Sequence, residues 1–230
     1  MIDLKGFYSA KPLESSKCYE TCGGGHCCKF FSLFTHVNFA PKDSLQLYLY
    51  PFEYRWLKEN NRLDEAFEKT LRNNEFIVDQ KKLNFYTINC SYNGLCPHHQ
   101  YRPLTCFLYP KVPYFNDKGE IISMHNYSIY DDMYDSLALE KPCTIYDNFN
   151  SDHYQKIVST YFNDPEFFFY TNLYVRIKDI MIESWKNSRK SDQINETIGE
   201  FETLYLMQKL ISISDAKKLV REENKKFNFL

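Results

Sequence analysis

The chain has 230 residues, of which 43% are hydrophobic, so it is long enough for one large domain or for one domain with an extension. The formal net charge of −2 excludes a global basic field that would attract nucleic acid, and we expect no nucleic-acid partner. Aromatic residues make up 17% of the chain, and we interpret them as core-forming residues rather than as base-stacking platforms.

No segment approaches about 20 consecutive apolar residues, so we predict that no part of the chain spans a membrane. The stretch from Met1 to Lys11 has neither the apolar core nor the cleavage site of a secretory signal. We therefore expect a cytoplasmic protein, in which structural disulfides are uncommon. Metal binding is accordingly the favoured use of the eight cysteines.

The first cysteine group lies near the N-terminus and encloses three consecutive glycines, Gly23–Gly25. Its members are Cys18, Cys22, Cys27 and Cys28. Thiolates bind zinc, copper(I) or iron–sulfur clusters far better than they bind calcium or magnesium. Glycine-rich backbone suits such a site because its N–H groups can turn toward anionic sulfur. The group therefore predicts a metal site.

Four elements are predicted between this group and the next cysteine. Alternating residues predict a strand over Lys29–Phe39, and a proline in the first turn predicts a helix over Pro51–Lys58. A further helix is expected over Leu63–Leu71, and a strand over Lys82–Asn89 then leads to Cys90. Both cysteine groups are thus predicted to lie where strands meet loops.

The second cysteine group consists of Cys90, Cys96 and Cys106, with Arg102-Pro103 shortly before its last member; Cys143 stands alone. Successive gaps are three, four and zero residues in the first group, and five and nine in the second. Zinc ribbons and fingers usually place two residues between paired cysteines, so the spacing matches neither. It also differs from the three-cysteine loop of radical enzymes that use S-adenosylmethionine.

The remaining elements are a hairpin and three helices. The hairpin is predicted over Val112–Met124, with its turn at Asn116–Gly119. Asp164-Pro165 is a typical helix start, and an apolar stripe follows at helical spacing as far as Trp185. Further helices are expected over about Glu196–Leu210 and from Ser214. We find no chemical motif in this C-terminal third, and we expect its stripe to pack on the rest of the protein.

The order of the cysteines resembles a family of cysteine-cluster domains described as zinc- or iron-chelating, the CxxCxxCC or YkgJ-type domain. The matching residues are Cys18, Cys22, Cys27, Cys28, Cys90, Cys96 and the segment Arg102–Pro110, which contains Cys106. Two features depart from the family pattern. Gaps of three and four replace gaps of two, which leaves the ligands within the first group open, and Phe107 replaces the usual arginine.

The resemblance implies a metal centre bound by the cysteines of the two groups. Seven or eight thiolates could fill two tetrahedral zinc sites, or one four-iron cluster with cysteines to spare, and the irregular spacing slightly favours iron–sulfur. The family also resembles the cluster segment of flagellin lysine methylases. The alternative function is therefore an iron–sulfur-dependent protein-modifying enzyme of the lysine N-methylase type, acting on a protein substrate or partner. A methylase needs a site for its methyl donor, and the absence of a strand–GxGxxG–helix unit weakens the enzyme interpretation without excluding a donor site on the metal.

Arg102 is the candidate cofactor-binding residue. Its five donors can hold a carboxylate or neutralise a thiolate-rich site, or else Arg102-Pro103 only fixes an extended turn before Cys106. His26, His98 and His99 lie close to cysteines and are open as a fourth ligand, as an acid or base near the site, or as solvated loop residues.

These features predict an α+β fold. We expect a small irregular cysteine-cluster core with short antiparallel strands over residues 1–150, which forms the metal-binding domain. A helical extension over residues 151–230 is expected to pack on this domain.

Overall fold

The computed structural model describes residues 2–10, 46–89, 102–141, 143, 145–146, 149–207 and 209–230. The predicted α+β class is confirmed, because short antiparallel strands in two small sheets combine with helices that dominate the C-terminal part. The strands are β1 (Gln46–Leu49), β2 (Arg72–Val78), β3 (Lys81–Asn89), β4 (Lys111–Phe115) and β5 (Ile121–Asn126). The helices are α1 (Leu4–Ala10), α2 (Pro51–Glu59), α3 (Glu65–Glu68), α4 (Leu104–Leu108), α5 (Ile129–Ser136), α6 (Ser151–Tyr161), α7 (Pro165–Ser188), α8 (Ile194–Leu206) and α9 (Ile213–Phe227).

The larger sheet has the order β1-β3-β2, and all of its pairings are antiparallel. The predicted strand over Lys82–Asn89 is confirmed as the central strand β3, whose alternating residues Leu83 and Phe85 are buried. Strand β2 was not predicted, because its polar sequence carries no clear alternation. Asp79 and Gln80 connect it to β3, and both have the positive φ angles that suit a tight hairpin turn.

The predicted second hairpin is confirmed as β4 and β5. The side-chain oxygen of Asn116 accepts hydrogen bonds from the N–H groups of Lys118 and Glu120 and so fixes the turn. Gly119 has a φ of +78°, and a Cβ at this position would lie 2.4 Å from the ring of Phe168. The turn therefore requires glycine both for its backbone conformation and for its close approach to α7.

Helix α7 begins as predicted. The side chain of Asp164 accepts a hydrogen bond from the N–H of Glu166, and Pro165 occupies the first turn. The stripe residues Tyr170, Leu173, Tyr174, Ile177, Met181 and Trp185 are all buried. The buried surface of this helix is wider than one stripe, because every residue from Phe167 to Val175 is buried. The first half of α7 is therefore an internal helix rather than an amphipathic surface helix.

Three predicted elements differ from the structure or lie outside its described part. The helix expected over Leu63–Leu71 is only the short α3, because the chain from Arg72 onward pairs with β3. The helix expected over Glu196–Leu210 is observed as Ile194–Leu206. The strand expected over Lys29–Phe39 lies outside the described residues.

One large hydrophobic core includes residues from both sides of residue 150. A smaller group of buried side chains, which we call the strand-end cluster, consists of Leu47, Leu49, Leu57, Phe67 and Ile88. Within the described residues, no helix combines enough length and apolar character to cross a membrane.

Candidate metal centre

The structure describes two of the predicted site residues, Cys106 and Arg102, together with the separate Cys143. The other predicted ligands lie outside the described residues: Cys18, Cys22, Cys27, Cys28, Cys90 and Cys96. Cys143 is buried and contacts Tyr109, whose pKa is raised chiefly by burial. Among the described residues, no three His, Cys, Asp or Glu side chains are arranged so that they could hold a metal ion.

Cys106 lies on α4, directly after the Arg102-Pro103 dipeptide. The N–H of Cys106 donates to the carbonyl of Pro103 at 2.8 Å, which closes the first turn. Its neighbours on the helix, Leu104, Thr105, Phe107 and Leu108, are buried, whereas Cys106 is partly exposed. The helix is therefore fixed by its flanking side chains, and the thiol is left at the boundary between core and solvent.

Cys106 packs against the strand-end cluster, at one end of the larger sheet. In the β1–β3 register Gln46 faces Asn89 and Leu47 faces Ile88, so the start of β1 and the end of β3 are adjacent. Helix α4 contacts β1. In sequence, β1 follows the segment that carries the first cysteine group, and β3 precedes Cys90.

The end of β3 is fixed by a side chain from outside the sheet. The N–H of Asn89 donates to the hydroxyl oxygen of Thr70 at 3.0 Å. This hydrogen bond satisfies the last backbone donor of the strand, so the position from which the chain continues toward the second cysteine group is well defined.

Helix α1 approaches α4 from the other side. The rings of Phe7 and Tyr8 contact that of Phe107 edge to face, with centroids 5.4 Å and 5.6 Å apart. Helix α1 ends at Ala10, before the segment that contains the first cysteine group. Elements flanking both cysteine-bearing segments therefore meet around α4.

A fully buried carboxyl group, that of Glu53, joins α1, α2 and α4. It accepts hydrogen bonds from the Tyr8 hydroxyl at 3.0 Å and the Tyr50 N–H at 3.2 Å, and a third from the N–H of Leu104. Burial raises the pKa of Glu53 to about 8, although the three donated hydrogen bonds act in the opposite direction. Sequence reasoning missed Glu53, because its position in α2 gives no sign of burial.

Arg102 is only 8% exposed. Its guanidinium carbon lies 4.4 Å from the ring centroid of Phe107, which is a cation–π distance. Nε of Arg102 has no hydrogen-bond partner within the described part of the chain. Phe107 therefore supplies the ring on which the guanidinium lies.

A second polar cluster joins β5, α5 and α7. The side-chain amide of Asn126 donates to Asp132 at 2.8 Å and to Asp135 at 2.7 Å. Lys141 forms an ion pair with Asp135 at 2.8 Å, and Lys178, with a side chain only 1% exposed, forms one with Asp132. Helix α7 thus brings a buried ammonium group to the acids of α5.

The sequence does contain a signal for this second cluster. Lys178 occupies the apolar stripe of α7, four residues after Tyr174 and three before Met181. A lysine on a buried helix face requires a carboxylate or another acceptor. The sequence gives no indication that the acceptor is Asp132.

Ser123, His125 and Asp179 form a third group of polar side chains. Ser123 Oγ lies 2.9 Å from Nε2 of His125, and Nδ1 of His125 lies 4.0 Å from Oδ2 of Asp179. The order resembles a serine–histidine–aspartate triad, but the second distance exceeds a hydrogen bond. Burial lowers the pKa of His125 and raises that of Asp179, which weakens the charged form of each and therefore their attraction. We therefore assign these residues no catalytic role.

Comparisons of this chain with protein-family models, with curated proteins and with solved structures found no match.

Proposed function

We propose that this protein binds a metal centre, either zinc or an iron–sulfur cluster, through the thiolates of its two cysteine groups. The proposed ligands are drawn from Cys18, Cys22, Cys27, Cys28, Cys90, Cys96 and Cys106. The main support for the proposal is that α1, β1 and the end of β3 lie close together around α4, the helix that carries Cys106. In sequence, the cysteine-bearing segments begin or end at these three elements.

The chemistry of the described residues fits such a centre. Cys106 is partly exposed on a helix whose other side chains are buried, whereas a cysteine that serves only as an apolar residue is usually buried, as Cys143 is. Arg102 precedes this helix by two residues and adds a buried donor, its Nε, for which the described part of the chain provides no acceptor. Both features support a thiolate centre, and the resemblance to the cysteine-cluster family points to the same function.

Anaerobic purification followed by absorption spectroscopy and metal analysis distinguishes a zinc centre from an iron–sulfur cluster. Broad visible absorption together with iron and acid-labile sulfide would identify a cluster. A colourless protein that contains zinc would identify zinc sites. A purified protein with neither metal would contradict the proposal.

If the two cysteine groups share one centre, Cys106→Ser and Cys22→Ser should cause comparable losses of metal, because each removes a ligand of the same centre. The metal-to-protein ratio of the purified variants measures this loss. Cys143→Ala is the matched control, since it removes a cysteine outside the two groups and should keep the metal. Full metal content in either serine variant would remove that cysteine from the ligand set.

A further inference from the structure

Strand β2 forms an edge of the larger sheet, whose strand order is β1-β3-β2. Its seven residues, Arg72–Val78, pair with β3 in one unbroken antiparallel register. The strand contains no proline, no lysine and no bulge, which are features that usually protect an exposed edge from pairing with another strand. Within the described part of the chain, β2 is therefore a long edge without these protective features.

The turn between β2 and β3 determines which backbone groups of β2 point away from the sheet. Asp79-Gln80 is a two-residue turn with positive φ angles, so the residues on either side of it form a hydrogen-bonded pair. Hydrogen-bonded and non-hydrogen-bonded pairs alternate along an antiparallel ladder, so the N–H and C=O groups of Asn73, Glu75 and Ile77 point to the open edge. Among the described residues, none of these backbone groups has a hydrogen-bond partner.

The side chains of the same residues are also open to solvent. Asn73 and Glu75 are exposed, and Ile77 is 51% exposed although it is a large apolar residue. Glu75 forms an ion pair with Lys82 of the neighbouring strand at 2.9 Å, so its charge is already balanced within the sheet. An unpaired backbone edge that carries an exposed aliphatic side chain favours the addition of another strand.

We propose that β2 pairs with β2 of a second copy of this chain, which joins two three-stranded sheets into one sheet of six strands. The pairing is antiparallel, about a two-fold axis that passes between the two copies of Asn74. Asn73 then lies opposite the partner's Glu75, and the exposed Ile77 lies opposite the partner's Leu71. This arrangement is independent of the proposed metal centre.

The sequence of β2 is complementary to itself in this register. The side-chain amide of Asn73 can donate to the partner's Glu75, and Arg72 lies opposite the partner's Phe76, where a cation–π contact can form. A shift by two residues would place Glu75 directly opposite the partner's Glu75, and like charges in that position are destabilising. Because the pairing is two-fold symmetric, it covers the β2 edge of both copies at once.

The first test is the mass of the full-length protein in solution, measured by sedimentation from low to high micromolar concentration. A single strand pair gives a small interface, so we expect a reversible change from 27.6 kDa to twice this mass as the concentration rises. A monomer at every concentration would overturn the proposal and would leave the edge to an extended segment of a different protein.

Glu75→Pro tests the backbone pairing. The N–H of Glu75 points to the open edge, so proline removes a hydrogen bond of the dimer and none of the β2–β3 ladder. The variant should be monomeric, with the circular dichroism of the wild-type protein. A folded Glu75→Pro variant that dimerises as strongly as wild type would overturn the pairing.

Ile77→Lys tests the side-chain contact and does not depend on the backbone change. It should weaken dimerisation by about tenfold or more, because each dimer contains the substitution twice. Ile122→Lys is the matched control, since Ile122 is 58% exposed on β5 of the other sheet, and it should dimerise as wild type does. Unchanged dimerisation of Ile77→Lys, or equal losses in both variants, would contradict the assignment to β2.

Cysteine substitution tests the register. In the proposed dimer the two copies of residue 74 form a non-hydrogen-bonded pair, whose Cα separation of about 4.5 Å permits a disulfide. Mild oxidation of Asn74→Cys should therefore give a dimer whose peptide map joins residue 74 to residue 74. A link between the two copies of residue 75 in Glu75→Cys, without the link at residue 74, would overturn this register.

Discussion

At the scale of single residues, the most consequential side chain that sequence reasoning missed is Glu53. Its carboxyl group accepts hydrogen bonds from α1, from its own helix and from the first turn of α4. The carboxyl group of Glu53 therefore fixes the start of α4, the helix that carries Cys106, and the pKa of this carboxyl group depends on its burial. Since burial raises the pKa of Glu53 to about 8, the protonated form is favoured in the folded state.

This pKa predicts a dependence of stability on pH. The carboxyl group titrates near its ordinary value of 4.5 in the unfolded chain and at about 8 in the folded protein. Its contribution to stability is fully present below pH 4.5 and is lost as the pH rises to about 8, with a total on the order of a few kcal/mol. In Glu53→Gln this part of the pH dependence should disappear.

The measurement is the free energy of unfolding from denaturant titrations between about pH 5 and pH 8. Glu183→Gln is a suitable control, because Glu183 is exposed on α7 and its replacement should leave the pH dependence unchanged. If the free energy of unfolding changed with pH in the same way for wild type and Glu53→Gln, Glu53 would be ionised in the folded protein over this pH range.

At the scale of elements, the contact between α7 and the β4–β5 hairpin depends on Asn172. Its side chain accepts the N–H of Phe115 at 2.8 Å and donates to the carbonyl of the same residue at 2.9 Å. The register of this hairpin shifts between Tyr114 and Phe115. The Asn172 side chain therefore satisfies both buried backbone groups of Phe115, its N–H and its carbonyl, as a neighbouring strand would.

Replacing Asn172 by Ala should lower the free energy of unfolding by about 2–4 kcal/mol, because the buried N–H of Phe115 would lose its partner. Denaturant unfolding measures this change, with Asn187→Ala as the control, since Asn187 is an exposed residue of the same helix. A loss below about 0.5 kcal/mol would show that water or a rearranged side chain replaces the amide.

At the scale of the whole molecule, the C-terminal helices and the N-terminal elements share one hydrophobic core. Phe115 of the hairpin contacts Phe167 and Phe168 of α7, with centroids 5.7 Å and 4.5 Å apart. Tyr127 stacks on Tyr174 with centroids 4.9 Å apart. Removal of α7 would therefore expose a broad apolar face on the part of the chain that carries all eight cysteines.

A fragment that ends at Asn163 should consequently be poorly soluble and less thermally stable than the full chain, although it keeps every cysteine. Solubility, thermal midpoint and metal content of the fragment test this expectation. Co-expression of residues 164–230 should restore solubility if the lost apolar contacts are the cause. A soluble, fully metallated and equally stable fragment would instead identify the C-terminal helices as an independent module.

The sequence by itself determined the features that depend on local chemistry. It predicted β3 as the strand that leads to Cys90, the β4–β5 hairpin from its turn residues, and the start of α7 from Asp164-Pro165. It also provided the cysteine pattern, and therefore the proposal of a metal centre. These predictions succeed because capping, turn formation and periodicity depend on residues close together in the chain.

Only the tertiary structure decided the features that depend on distant partners. Strand β2 forms because β3 offers it a pairing edge, and the predicted helix over Leu63–Leu71 is shortened for the same reason. The burial of Glu53 and Arg102, the ion pair of Lys178 with Asp132, and the meeting of α1 and β1 around Cys106 join residues far apart in sequence. The free energies of these contacts depend on how deeply the groups are buried and on where their partners lie, and the local sequence encodes neither.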